Sequence, residues 1–122
     1  FIRYGAVLSC SSDIVSIEES DRANPFAAMQ IAATRRDPQS CFEERQPASE
    51  KLPVRDMMLG FTIKGAKCMH MENEIGSLAK GKKANFCVLN RNVFEVPVDK
   101  LGTTAAVTVV FEGSPVKGGL PY

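Results

Sequence analysis

Apolar positions recur along this chain with two different periods. Residues 5–10 read G-A-V-L-S-C, a short apolar run bounded by a glycine and serines. That pattern predicts a buried strand opening at its end onto Ser11, Ser12 and Asp13. Asn24-Pro25 then marks a helix start, because Asn can cap free N–H groups and Pro suits the first helical position. Phe26, Met29, Gln30 and Ala33 follow at helical spacing, and Asp37-Pro38 is expected to end the helix. Residues 38–51 are polar and read as a loop long enough to serve as a lid or binding loop. Pro53 opens a second predicted helix, with Val54, Met57, Met58 and Phe61 as its core stripe and Gly65 as its stop or bend.

Beyond residue 72 the period changes to that of strands. Gly76 and Gly81 mark turns, and Lys80, Lys82 and Lys83 are expected to keep the second turn in water. Residues 85–89 predict a buried strand, residues 93–98 an extended stretch, and residues 105–112 a β-rich run. Gly113-Ser114-Pro115 turns that run into a short return at Val116-Lys117. Helices lead and strands follow, so the fold class is mixed α+β with segregated layers.

Composition narrows the functional classes. Lys+Arg 15 against Asp+Glu 14 leaves a formal charge of +1, no electrostatic footprint for nucleic acid or anionic lipid. No apolar run reaches the ~20 residues of a membrane span, and no signal-peptide pattern opens the chain. Cys10, Cys41, Cys68 and Cys87 form no C-x-x-C pair. They read as reduced thiols of a cytoplasmic protein, with Cys10 and Cys87 packed as small hydrophobes. The chain begins at Phe1 without a start methionine, which points to a cut or processed chain.

Candidate chemistry is sparse. Asp13 follows the end of a predicted buried strand, where α/β enzymes place catalytic groups, and a carboxylate there can ligate a metal or take a proton from water. The plainer reading is that it caps the next turn beside Ser11 and Ser12. His70 is the single histidine, too few for a His-rich zinc set, and reads as a surface or capping residue. The run G-S-L-A-K-G-K-K lacks the P-loop spacing and precedes a strand. Arg35-Arg36 reads as a complement to the helix dipole, with an anion clamp as the alternative.

Taken in order, the segments resemble the C-terminal end of metal-dependent amidohydrolases of the amidohydrolase 3 group, which includes N-substituted formamide deformylases. V-L-S-C-S-S-D is similar to that group's eighth barrel strand with its G-S-D ending. N-P-F-A-A-M-Q-I-A-A-T-R-R resembles the helix after it, and E-R-Q-P with L-P-V-R-D-M-M-L-G-F-T-I-K-G-A the loop and final helix. E-I-G-S-L-A-K-G-K-K-A-N-F-C-V-L is similar to the family's E-x-G-S-L-x-x-G-K-x-A-D-x-x-V-L. Ser11, Lys64 and Asn85 depart from that pattern, standing where the family prefers Gly, Asn and Asp.

The resemblance implies the last βα unit of a distorted TIM barrel over residues 1–71. Residues 72–122 would then supply C-terminal strands of a composite β-sandwich. It implies that Asp13 is both the catalytic and the metal-associated residue, with a divalent metal, zinc being the expected ion, in the full-length protein. The implied reaction is hydrolysis of an amide or related C–N bond in a small-molecule substrate by metal-activated water. The isolated chain is expected to be inactive, since the family's histidine ligands lie upstream. A non-catalytic regulatory or interaction module on the same scaffold is the competing reading. Severed barrel and sandwich edges also predict homo-oligomers.

Overall fold

The computed structural model describes residues 2–13, 23–36 and 47–116. Its first helix, α1, runs Pro25–Thr34. Asn24 caps it: its Oδ1 accepts the Phe26 N–H at 2.9 Å, and Pro25 needs no donor partner at the first position. The helix ends at Arg35, which turns left-handed (φ 61°) and donates its N–H to the Ile31 carbonyl. Thr34 is thus the last helical residue, and Asp37-Pro38 lies outside the described residues.

The stripe predicted after Pro53 forms two helices, α2 (Val54–Gly60) and α3 (Ile63–Cys68). The break falls at Phe61–Thr62, where Thr62 leaves helical space and its hydroxyl donates back to the Met58 carbonyl at 2.6 Å. Gly65 lies inside α3. The bend therefore comes earlier than a glycine-based reading places it. A second glycine accounts for the next turn: Gly76 sits at φ +86°, and a Cβ there would stand 2.7 Å from Ala66 Cβ. Position 76 combines a left-handed backbone with no room for a side chain.

Three strands follow: β1 (Phe86–Leu89), β2 (Ala106–Phe111) and β3 (Ser114–Pro115), antiparallel in the order β1-β2-β3. Phe86 pairs with Val110 and Leu89 with Ala106, with an irregularity between Val88 and Leu89. Glu112 and Gly113 close the β2–β3 hairpin, both at positive φ, the backbone that two-residue hairpin turns need. β1 is not the buried strand its composition predicts, because Phe86, Cys87 and Val88 are exposed. Residues 93–98 are not extended. Asn92 Oδ1 caps a turn at the Phe94 N–H, and Pro97 starts a 3-10 helix over Val98–Thr103.

The core joins both halves of the chain. Phe26 and Met29 of α1, Met57 of α2, Val93 and Leu101 form one buried cluster, with Leu8, Cys10, Leu52 and Leu89 packed against it. α1 and the Val98–Thr103 turn are also joined by polar contacts. Gln30 Oε1 accepts the Gly102 N–H at 2.7 Å, and Asn24 Nδ2 donates to the Gly102 carbonyl at 3.0 Å. Among the described residues no helix is long and apolar enough to cross a membrane.

Candidate active site

Residues 6–13 lead to Asp13 and form no helix or strand ladder among the described residues. A parallel barrel strand is defined by its neighbours, and residues 6–13 have no strand beside them here. What holds the segment is α2: the Cys10 N–H donates to the Gly60 carbonyl at 3.2 Å. The Cys10 thiol lies against Met57 Sδ at 4.0 Å, and Leu8 reaches the core cluster. Burial pushes the Cys10 thiol pKa above its ordinary value, with Lys64 pulling weakly the other way.

Asp13 stands exposed at the end of this segment with φ 49°, left-handed backbone that an L-residue adopts at a cost. Its N–H donates to Ser11 Oγ at 3.3 Å. Ser11, one of the three departures from the resembled pattern, thus contacts the backbone of the candidate residue. The other two departures are also occupied. Lys64 pairs with Asp56 at 3.9 Å, and Asn85 Oδ1 accepts the Glu112 N–H at 2.7 Å.

A metal centre is not completed here. Among the described residues no group of three or more His, Cys, Asp or Glu side chains is placed to hold an ion. Structural and catalytic zinc sites take at least about three protein ligands, so one carboxylate falls short of such a set. His70 is exposed, left-handed at φ 58°, and closes the end of α3 through its own N–H to the Lys67 carbonyl. It brings nothing to Asp13. Cys68 and Cys87 are exposed free thiols, Cys10 is half-buried, and Cys41 lies outside the described residues. Cys87 is therefore not the small core hydrophobe its neighbours in sequence suggest. Arg35 Nε is buried without an acceptor among the described residues, while Arg36 is exposed.

Beside the Asp13 segment lies an open, mainly apolar groove of about 740 Å³. Cys10 and Ser11 form one wall, Met58 and Phe61 another, and Cys87 and Val109 the third. Asp13 itself does not line it. Residue spacing carries no sign of the seat that Gly60 makes for Cys10. The sequence signal was a lone glycine in the apolar run M-M-L-G-F, where a helix gains nothing from glycine.

The described residues thus give an irregular segment ending in an exposed carboxylate, packed on α2 and followed by a small sheet. Comparison with known proteins gives it a family. Residues 2–117 match the Amidohydrolase family, and the chain belongs to it. The chain is also similar to an imidazolonepropionase of Bacteroides thetaiotaomicron, 27% identical over 97 residues. That match covers 74% of this chain and 22% of the relative, so the chain spans a minor part of the relative's length. No solved structure matches the chain. Members of the family typically use a divalent metal.

Proposed function

We propose that this chain contributes Asp13 to the active site of an amidohydrolase that cleaves an amide or related C–N bond. In this reading residues 1–71 are the end of a (β/α)₈-type barrel and residues 72–122 are strands of a composite sandwich. The histidine ligands, and the metal with them, belong to residues outside this chain. Asp13 acts as the base. Water oxygen bonds to the substrate carbonyl carbon, and its proton passes to an Asp13 carboxylate oxygen. The C–N bond then breaks, and the leaving nitrogen takes that proton back.

The observation that carries this reading is the family match over residues 2–117, which includes the V-L-S-C-S-S-D segment and its exposed carboxylate. Substrate class follows two lines. The sequence resembles the N-substituted formamide deformylase group, and the curated relative is an imidazolonepropionase.

Asp13→Asn keeps the shape and removes the base. Turnover of N-substituted formamides and of an imidazolone propionate by the full-length protein should fall by about 100-fold or more, as expected for loss of a general base. Unchanged melting would show that the fold survives. Full activity in Asp13→Asn would remove Asp13 from the mechanism.

A further inference from the structure

We propose that Gly60, the last residue of α2, is a positioning residue for Asp13, a role that rests on the reading of Asp13 as the base. Among the described residues, residues 6–13 have one backbone hydrogen bond to the rest of the molecule, from Cys10 N–H to the Gly60 carbonyl at 3.2 Å. The seat exists because position 60 has no side chain. A Cβ there would stand 2.6 Å from Cys10 Sγ and 3.3 Å from the Leu8 carbonyl oxygen.

Gly60 is not in the left-handed region, so space and not backbone freedom selects glycine. The acceptor carbonyl cannot easily retreat. A Cβ at Gly65 of α3 would lie 3.0 Å from it, which shows how closely α3 backs the same oxygen. On the other side, Met57 Sδ at 4.0 Å backs the Cys10 sulfur. The Cys10 backbone is therefore held between a hydrogen bond and a contact surface that both belong to α2.

Asp13 follows three residues on, a reach of at most about 11 Å of chain. Its own left-handed backbone and its bond to Ser11 Oγ limit how far that short tether can flex. A shift at Cys10 is thus passed to the carboxylate. Catalytic groups are sensitive to this, since a displacement of about 1 Å can cost roughly 100-fold in rate.

The test combines Gly60→Ala, the double variant Gly60→Ala/Cys10→Ala and Asp13→Asn in the full-length protein. Gly60→Ala should lower kcat by about tenfold or more with KM within about twofold, because the loss is one of alignment and not of binding. Removing the sulfur that the new Cβ would strike should restore most of that kcat. If Gly60 only supports stability, kcat per folded enzyme stays at the parent's value and only the melting temperature falls. A Gly60→Ala enzyme with the parent's kcat, or a double variant no faster than Gly60→Ala, overturns the proposal.

If Asp13→Asn is inactive while Gly60→Ala is not, Gly60 loses its role and Asp13 keeps its own. If Asp13→Asn is fully active, the Asp13 reading falls first. Should Gly60→Ala fail to fold, amide exchange in the unaltered protein decides. The Cys10 amide should exchange about tenfold or more slowly than that of Ser12, and equal rates overturn the seat.

Discussion

Lys82 and Lys83 share a turn and a charge, yet their side chains go to different places. Lys82 folds back, donating to the carbonyls of Glu72 and Ile75 and to Ser77 Oγ. It closes the glycine turn from inside, where a sequence reading leaves it in water. Three acceptors converging on one ammonium are a tertiary arrangement that charge spacing alone does not reveal. Lys83 stays exposed and pairs with Glu112 at 2.9 Å and Glu74 at 3.6 Å, tying the turn to the β2–β3 hairpin. The hydrogen bond to Glu112, then the charges of Glu112 and Glu74, raise the Lys83 pKa above 10.5. A folded-state pKa above the unfolded one stabilises below the unfolded value and is lost as pH rises through the folded one. Lys83→Met should therefore be less stable than the parent at neutral pH, by a small margin because exposed pairs are screened. That gap should close as pH climbs beyond 10.5. Urea midpoints of parent and variant measured from about pH 8 to about pH 11.5 check it; a gap that stays constant across the range would contradict it.

Among the elements, α1 is the one whose start could be read most directly. Asn24-Pro25 announces the helix, and Phe26 and Met29 bury as their spacing requires. Its partner could not be read. The extended stretch expected over residues 93–98 gives no sign of the Val98–Thr103 turn, because Pro97 and Val98 fit a strand edge as well as a 3-10 start. What decides is Leu101, fully buried, and the Gly102 peptide held by Gln30 and Asn24 from α1. Gly102 fits closely there, since a Cβ would lie 2.9 Å from Gln30 Oε1. Contacts across more than 70 positions leave no local trace (Gln30 and Gly102 are separated by 72). The same holds for the site. Asp13 could be proposed from its place after an apolar run, whereas the Gly60 seat depends on α2 folding against that run. Asn24→Ala removes both the helix cap and the donor to the Gly102 carbonyl. It should destabilise by about 1–3 kcal/mol, a cap plus one modest hydrogen bond. Asn24→Ser keeps a cap oxygen and loses the donor, so it should fall between. Chemical denaturation of the three proteins orders them, and Asn24→Ser matching Asn24→Ala would show that the cap oxygen contributes nothing.

At the scale of the molecule, the sheet is the part with least cover. Its two faces are both apolar in places. Register and alternation put Cys87, Val107, Val109 and Phe111 on one side and Phe86, Val88 and Val110 on the other. Val109 and Phe111 are 38% and 57% exposed and line the groove beside α2 as its exposed side, whereas Val110, which also borders it, is buried. A sheet this small cannot close on itself, and β1 pairs on one edge only among the described residues. A two-layer domain would place polar residues on the outer face of such a sheet, as alternating strands do when one side meets water. On β2 the side carrying Thr108 and Val110 is buried, while Val107, Val109 and Phe111 leave an apolar side exposed, so it is this second side that lacks a cover. We propose that the 122-residue chain, taken alone, self-associates through the groove side of this sheet. Sedimentation should show mass rising with concentration in the range of roughly 10 μM to 1 mM, where exposed apolar surface and strand edges drive association. Val109→Lys and Phe111→Lys, which place charge on the groove side, should return it toward a monomer. Val88→Lys, on the opposite face, should do so far less. A well-folded monomer throughout that range would remove the association, and equal effects of all three lysines would remove the choice of face.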